Sequence, residues 1–309
     1  MILAVAGCFS KEKKAAAKTN EEPPAWVTDS GRYKIFPKTE YLSACEYGSS
    51  LEEAKTKAAA SISKTIKAQV TDLVKTDYSA KENQGSYISH REISENLEIS
   101  SSNSLYQLEY TTPFYSKELG MYIGCAYINR QKAFDFVEPK LNKCEKNFPA
   151  EYEASIKKND ALEQLLGIKN SLNFAKEFYE YYDFARVINP AASEKYAKVD
   201  ELFRKAEFTL NELKSKCAVN IVVEGDFNNQ VLNALQDAFN AEGLTVVQRG
   251  AYDYKAKAVV SASPVKTAQT VQCRPSVLVE VLGGSEVKYS WSKQMDKVAA
   301  FDEDSCLRR

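Results

Sequence analysis

The chain has 309 residues, 44% of them hydrophobic and 27% charged, which leaves room for two or three small domains, each with its own core. Its 41 basic residues nearly balance 42 acidic ones, so the net charge is -1 and nucleic acid is not an expected partner. No apolar run approaches the roughly 18–20 residues needed to span a bilayer, so membrane contact is expected only at the N-terminus.

The N-terminal stretch MILAVAGCFSKEKK joins a short apolar segment to a cysteine and a run of lysines. Val5-Ala6-Gly7-Cys8 fits the small-residue tetrapeptide, closing on cysteine, at which a lipoprotein signal is cleaved. Seven residues precede Cys8 and none is basic, whereas a signal needs a charged segment and an apolar stretch of about 7–15 residues. We therefore expect a start site assigned too late or a trimmed sequence.

Residues 8–25 are predicted to be a tether, because they are charged, alanine-rich and without apolar periodicity. The first folded domain is expected over 26–137, where YLSACEYG predicts a strand at 41–48. Ser50 and Glu53 then form a predicted capping box, in which the Ser50 hydroxyl accepts from the Glu53 amide and the Glu53 side chain reaches back.

A helix is predicted from residue 51 to about 75, because apolar residues recur there at spacings of three and four. These residues are Leu51, Ala54, Ala58, Ile62, Ile66, Val70 and Leu73. Two further strands are predicted at 104–114 and 121–129, with a turn between them signalled by SKELG. The order strand, helix, strand, strand predicts an α+β unit with its helix on one face of the sheet.

The region 138–217 is predicted to be helical. The expected helices cover 131–146, 149–188 and 192–216. Pro149 is tolerated at a helix start and Asn189-Pro190 breaks the run, so the last two helices are predicted to form an antiparallel hairpin.

The aromatic cluster EFYEYYDF at 177–184 is open to two interpretations, a ligand surface or a buried seam between helices. The seam is favoured, because its apolar residues fall on one helical stripe. The stripe consists of Phe174, Phe178, Tyr181, Ala185 and Ile188.

Residues 218–309 are predicted to form a second α+β domain, whose abrupt C-terminal end indicates a truncated sequence. A helix at 228–241 is ended by Gly243, and a hairpin turn is expected at Gly283-Gly284. The apolar face of that helix is Val231, Leu235, Ala238 and Phe239. The strands are predicted at 218–225, 244–248, 254–263, 276–283 and 287–292.

The predicted fold class is therefore α+β: two small α+β modules of the strand–helix–strand–strand type, joined by a long helical hairpin.

Motifs for catalysis and cofactor binding are absent from the sequence. It contains no GxxxxGK[ST], GxSxG, HExxH or EF-hand loop, and no GxGxxG follows the first strand of the last domain. No catalytic residue, cofactor or metal site is therefore predicted, and a non-enzyme is expected. A hydrolase with an unrecognised carboxylate pair is the alternative, since the 42 acidic residues include many possible pairs.

Two polar features have a functional and an ordinary interpretation. His90, the single histidine, lies in the polar stretch 78–103 and is expected to face solvent or make a local hydrogen bond, since one histidine does not make a His-rich metal site. Asp302-Glu303-Asp304 is expected to be a solvated acidic terminus rather than a site for a hard cation.

The seven cysteines include no CxxC pair, which argues against zinc ribbons and thioredoxin-like redox motifs. They lie at positions 8, 45, 125, 144, 217, 273 and 306. If Cys8 is modified, the other six either form three disulfides in an oxidising compartment or remain small buried thiols.

The segment YLSACEYGSSLEEAKTKAAASISKTI resembles the twenty-kilodalton bacterial lipoprotein family and the related N-terminal domain of flagellar assembly protein T. The alanines at 54, 58 and 59, the upstream PAWV and Phe36-Pro37, and GMYIGCAYINRQKAF at 120–134 carry the likeness, which covers roughly residues 24–137. It implies an envelope lipoprotein with a non-catalytic α+β module. The family's one transferable site is its lipidated cysteine, which here is Cys8.

To a lesser degree, 218–263 resembles the strand–helix–strand modules of the curli-secretion and penicillin-binding-protein-activator lipoproteins.

We therefore expect a lipid-anchored cell-envelope lipoprotein with a binding or structural role. Residues 1–7 would be a signal remnant, and Cys8 would carry acyl chains such as palmitate that anchor it to a membrane, expected to be the outer membrane, facing the periplasm or the surface. The expected partners are that membrane, and envelope proteins or peptidoglycan-associated components. The alternative is a periplasmic, flagellar or envelope assembly factor that acts through protein–protein contacts without an anchor.

Overall fold

The computed structural model describes residues 22–81, 105–226, 228–266 and 271–300, together with Asp302 and Ser305. Two sheets and a set of helices give the mixed α+β fold that the sequence predicted. Several predictions concern residues outside the described ranges. These are the signal remnant, Cys8 and most of the tether, together with His90, Glu303, Asp304 and Cys306.

The chain divides into two compact units. Among the described residues, the first unit comprises 22–77, 105–139 and 181–194, and the second is built mainly from 140–180 and the residues from 195 onward. The predicted helical region therefore contributes to both units.

The first unit begins with two short helical segments and contains a four-stranded antiparallel sheet. A 3-10 turn at Ala25–Val27 and α1 (Asp29–Ile35) precede β1 (Tyr41–Gly48), which pairs along its whole length with β4 (Met121–Asn129). These two predicted strands are confirmed.

The predicted strand at 104–114 is instead two short strands that both pair with β4. They are β2 (Leu108–Tyr110) and β3 (Phe114–Ser116). The ladder is interrupted just before Pro113, which has no N–H to donate to it.

Helix α2 (Leu51–Lys81) lies closely against this sheet and extends six residues past its predicted end. Ser50 Oγ accepts from the Glu53 amide at 3.1 Å, as predicted, but the Glu53 carboxylate returns to Ser49, whose amide donates to it at 2.7 Å. A Cβ placed on Gly48 would lie 2.4 Å from the backbone nitrogen of Ala54. The helix therefore approaches the strand to a distance that only glycine permits at this position.

The other face of the sheet carries a disulfide. Cys45 and Cys125 face each other in the β1–β4 register and are covalently joined. The six cysteines other than Cys8 were predicted either to form three disulfides or to remain buried thiols, and neither prediction is correct for all six. Cys144 and Cys217 are free and buried, and Cys273 is disulfide-bonded.

A hydrophobic cluster surrounds this disulfide. Its buried members are Trp26, Phe36, Ile123 and Cys125, with Tyr41, Tyr127 and Phe114 packed against them. Phe36 stacks on Tyr127 with ring centroids 4.5 Å apart.

Helix α3 (Arg130–Ile156) continues past its predicted end at 146, through Pro139 and Pro149. A proline inside a helix removes a hydrogen bond and clashes with the carbonyl four residues earlier. Packing offsets that cost here, because a stripe of almost fully buried residues runs on both sides of Pro149. The stripe comprises Val137, Leu141, Cys144, Phe148 and Tyr152.

The predicted helix 149–188 is wrong, because the chain leaves the helix after Ile156 and begins a new one at α4 (Ala161–Ser171). Asp160 caps α4, its Oδ1 accepting from the Glu163 amide at 3.0 Å, and aspartate is far better suited to an N-cap than to a helix interior. Helix α5 (Asn173–Ile188) follows.

The predicted break at Asn189-Pro190 is confirmed. Asn189 Oδ1 accepts from the Ala192 amide at 3.2 Å and caps α6 (Pro190–Ser193). A 3-10 turn at Glu194–Tyr196 then leads into α7 (Ala197–Lys216), which returns beside α5.

Most of the aromatic cluster of α5 belongs to the core, as predicted, but Phe174 and Tyr181 of the predicted stripe are only half-buried. Phe178 and Tyr179 are fully buried and pack on Phe203 of α7, with ring centroids 5.1 and 5.8 Å apart. The Tyr179 hydroxyl donates to Asp200 at 3.1 Å.

The second unit contains a six-stranded mixed sheet. Its strands are β5 (Ala218–Glu224), β6 (Thr245–Val247), β7 (Tyr254–Lys266), β8 (Val271–Gly283), β9 (Glu286–Gln294) and β10 (Val298–Ala300). β5 pairs in parallel with β6 and β7, and β7 to β9 form an antiparallel meander, with β10 also paired to β8. Helix α8 (Gln230–Ala241) connects β5 to β6. The predicted strand–helix–strand and meander are therefore confirmed.

Candidate functional site: an apolar groove in the second unit

One face of the second sheet is apolar, because the pleat places alternate residues of each strand on it. Two transverse rows illustrate this. Ile221, Ala256, Val281 and Tyr289 stand in register across β5, β7, β8 and β9, and so do Val223, Ala258, Val279 and Trp291.

Helix α4 is attached to this face through Tyr254. The Tyr254 hydroxyl accepts from the Leu162 amide at 2.9 Å and donates to Asp160 Oδ1 at 3.1 Å. Burial raises the pKa of Tyr254 to about 12, and the Asp160 carboxylate also acts in this direction. The phenol therefore stays protonated and joins the first turn of α4 to the sheet.

Helix α8 forms a second wall. Both carboxylate oxygens of Asp226 accept from backbone amides at its start, those of Val231 and Leu232, at 3.1 and 2.8 Å. Leu235 and Phe239 from its predicted apolar face are half-buried, whereas Ala238 is exposed, which corrects the predicted face at that position.

Between α4, α8 and the sheet lies an apolar groove of about 460 Å³, which we call the groove. Its floor is formed by the buried side chains of Leu162, Leu165, Val219, Leu244, Val279 and Val281. Leu166, Tyr289 and Trp291 line it while remaining 40%, 49% and 42% exposed. This volume and lining are typical of a small-molecule site.

Two charged side chains line the groove and pair with each other. Lys169 Nζ, on α4, lies 2.6 Å from Oε2 of Glu242, which follows α8, and both side chains are about half exposed. The hydrogen bond from Lys169 lowers the pKa of the Glu242 carboxyl, and the positive charge of Lys214 acts in the same direction. These three side chains carry two positive charges and one negative charge.

The start of α4 has the opposite charge balance. Lys288 Nζ lies 2.7 Å from Glu286, 3.8 Å from Asp160 and 3.7 Å from Glu163. One positive and three negative charges meet there, so α4 runs from an acidic cluster to a basic one.

The described residues that line the groove offer apolar contacts and one ion pair. They include no histidine, cysteine or serine, and one carboxylate, that of Glu242. Across the described ranges, no group of three or more His, Cys, Asp or Glu side chains is arranged to hold a metal ion. The arrangement is thus suited to holding an apolar molecule.

The sequence reasoning singled out Cys8, which lies outside the described residues, and did not find the groove. It identified Leu235 and Phe239 only as a helix face. The sequence pattern that could have indicated the groove is the pair Tyr289 and Trp291, because two aromatic residues at a spacing of two in a strand share one face of the sheet.

No helix in the described part of the chain is both long enough and apolar enough to cross a bilayer.

No known protein family and no curated protein matches the chain. Among solved structures, it is similar to the secreted protein HP1454 from Helicobacter pylori, with 19% sequence identity and a TM-score of 0.36. The similarity covers 83% of this chain and 87% of that one. At this TM-score the similarity assigns neither fold nor function.

Proposed function

We propose that this protein is a lipid-anchored cell-envelope lipoprotein with a non-catalytic binding role, and that the groove is its binding surface. The main support for a binding role is the groove itself. Its floor is apolar, two half-exposed aromatic side chains line it, and its charged groups are confined to one ion pair. Sites that bind small molecules commonly combine a largely apolar lining with a few placed polar groups.

The disulfides support a location outside the cytoplasm. Cys45 and Cys125 are joined and Cys273 is also disulfide-bonded, and such bonds persist in oxidising compartments. Val5-Ala6-Gly7-Cys8 and the charged tether after it support anchoring at Cys8, and several acyl chains on one cysteine anchor a protein stably. The proposed location is the outer membrane, facing the periplasm or the surface.

Metabolic labelling with a fatty-acid analogue tests the anchor. With the protein expressed from its own chromosomal locus, we expect label on the wild type and on Cys144→Ala, and none on Cys8→Ala. An unlabelled wild type, or label that survives Cys8→Ala, would contradict the anchor. A wild-type product that stays soluble without detergent would instead support the alternative, an assembly factor without an anchor.

Binding of an amphipathic dye, which has apolar rings and one sulfonate group, tests the groove. The full chain carrying Cys8→Ala would be titrated with anilinonaphthalene sulfonate, and energy transfer from Trp291 to the dye would be recorded. Phe239→Ala, which removes part of one wall, should weaken binding. Phe208→Ala is the matched control, because Phe208 is half exposed and is not part of the groove lining. Equal binding by both variants, or no binding by the parent, would contradict the proposed binding surface.

A further inference from the structure

We propose that the groove binds one long-chain fatty acid, with its alkyl chain along the apolar floor and its carboxylate at Lys169. This inference rests on the proposed binding role and narrows it to one class of ligand.

The size of the groove suits a small molecule. Its volume of about 460 Å³ lies within the range of about 300–1,000 Å³ that is typical of small-molecule pockets. A single alkyl chain with its head group belongs to this class of ligand.

The lining favours a ligand without distributed polar groups. The described lining residues place side-chain hydrogen-bonding groups only at Lys169 and Glu242 and at the ends of Tyr289 and Trp291. A sugar, a nucleotide or an extended peptide would bury donors and acceptors that the floor does not satisfy, and unsatisfied buried polar groups are unfavourable. An alkyl chain has no such groups.

The charges at the two ends of α4 favour an anionic head group at one end only. Lys169 and Lys214 outnumber Glu242 at the basic end, while Asp160, Glu163 and Glu286 outnumber Lys288 at the acidic end. Leu162 and Lys169 are seven residues apart on α4, or about 10 Å along the helix axis. A carboxylate is attracted to the Lys169 end and repelled from the other, which gives the bound chain a direction.

The Lys169–Glu242 ion pair is compatible with this role. Both side chains are about half exposed, so Lys169 Nζ, which has three donors, can contact a ligand carboxylate while it keeps Glu242. Tyr289 and Trp291 contribute apolar ring faces that cover the chain and a polar edge that meets water.

Contact quenching of tryptophan by a brominated fatty acid tests the inference. The full chain carrying Cys8→Ala would be titrated with dibromostearate, and with its methyl ester, below the concentrations at which they aggregate. Trp291 lies in the groove, so quenching should saturate and should disappear in Trp291→Phe, which leaves Trp26 as the remaining tryptophan.

The head-group assignment is tested by crossing the ligand with a charge variant. Lys169→Gln should weaken binding of the acid by about tenfold, the size expected for one charge-assisted hydrogen bond, and should leave the ester unaffected. Lys157→Gln is the matched control, because Lys157 also pairs with a glutamate but lies outside the groove lining. It should change neither affinity.

Each other outcome overturns the inference. If the dye binds but dibromostearate does not, the binding role stands and the fatty-acid assignment fails. If neither binds, both fail. If Lys169→Gln weakened binding of the acid and of the ester equally, the carboxylate would not be bound at Lys169. Binding to phosphatidylglycerol vesicles without binding of the free fatty acid would make the groove a membrane-contact surface instead.

Discussion

Replacing Cys45 and Cys125 together by alanine removes the covalent link between β1 and β4 and leaves both strands their full length. The two cysteines are 80 residues apart in sequence. The chain-entropy relation gives about 4.5 kcal/mol at 25 °C for a loop of this size, and measured disulfides usually contribute about 2–4 kcal/mol. We therefore expect the double variant to lose about 3–4 kcal/mol of its free energy of unfolding.

Urea unfolding followed by the fluorescence of Trp26 is the appropriate assay. Trp26 is buried in the cluster around the disulfide, and Trp291→Phe removes the other tryptophan. With a urea dependence of about 2 kcal/mol per molar, the transition midpoint should fall by roughly 1.5–2 M. Both proteins would carry Trp291→Phe, and mass spectrometry would verify the disulfide in the parent.

Reductant provides an independent check. In reductant the midpoint of the parent should equal that of the double variant in the same reductant, and the shift that reductant causes in the double variant measures the disulfide of Cys273. A midpoint shift below about 0.3 M in the double variant would refute the reasoning, because it would mean that the link restricts the unfolded chain far less than its loop length implies.

Three further predictions follow from local geometry. Gly48→Ala should cost about 1–3 kcal/mol in thermal or urea unfolding, because its Cβ would lie 2.4 Å from the Ala54 nitrogen, and an unchanged midpoint would contradict this close approach. Hydrogen bonds from a lysine and a serine near the start of α2 lower the pKa of Glu53 to about 2. The contribution of this carboxylate to the stability of the fold is therefore present above pH 4.5 and is lost as the pH falls toward 2. Stability measured against pH in this range should flatten in Glu53→Gln, and identical profiles would contradict the assignment. Burial raises the pKa of the Cys144 and Cys217 thiols to about 11, so iodoacetamide at neutral pH should modify both only after unfolding, and native-state labelling of either in peptide mass spectra would show that it is accessible.

The sequence by itself determined the elements whose signals are local. The strands at Tyr41–Gly48 and Met121–Asn129 and the Ser50 cap were predictable because residue type, turn chemistry and a hydroxyl within three residues decide them. The same holds for the meander after Tyr254, where strand-forming residues and the glycine turn between β8 and β9 mark the strands.

Only the tertiary structure decided features that depend on distant residues. Helix α3 passes Pro149 because the buried stripe on both sides of it outweighs a local helix breaker. Cys45 pairs with Cys125 because the β1–β4 register places them opposite each other, a relation that cysteine spacing does not encode.

The groove is the clearest case of a feature that local sequence patterns do not determine and tertiary packing does. Leu162, Phe239 and Trp291 come from three separate stretches of the chain, and each has an ordinary local pattern. They become one apolar surface because Tyr254 attaches α4 to the sheet and the strand register places Trp291 on the same face. Periodicity specifies which side of an element is apolar, and packing between elements decides whether that side is covered or left open to a ligand.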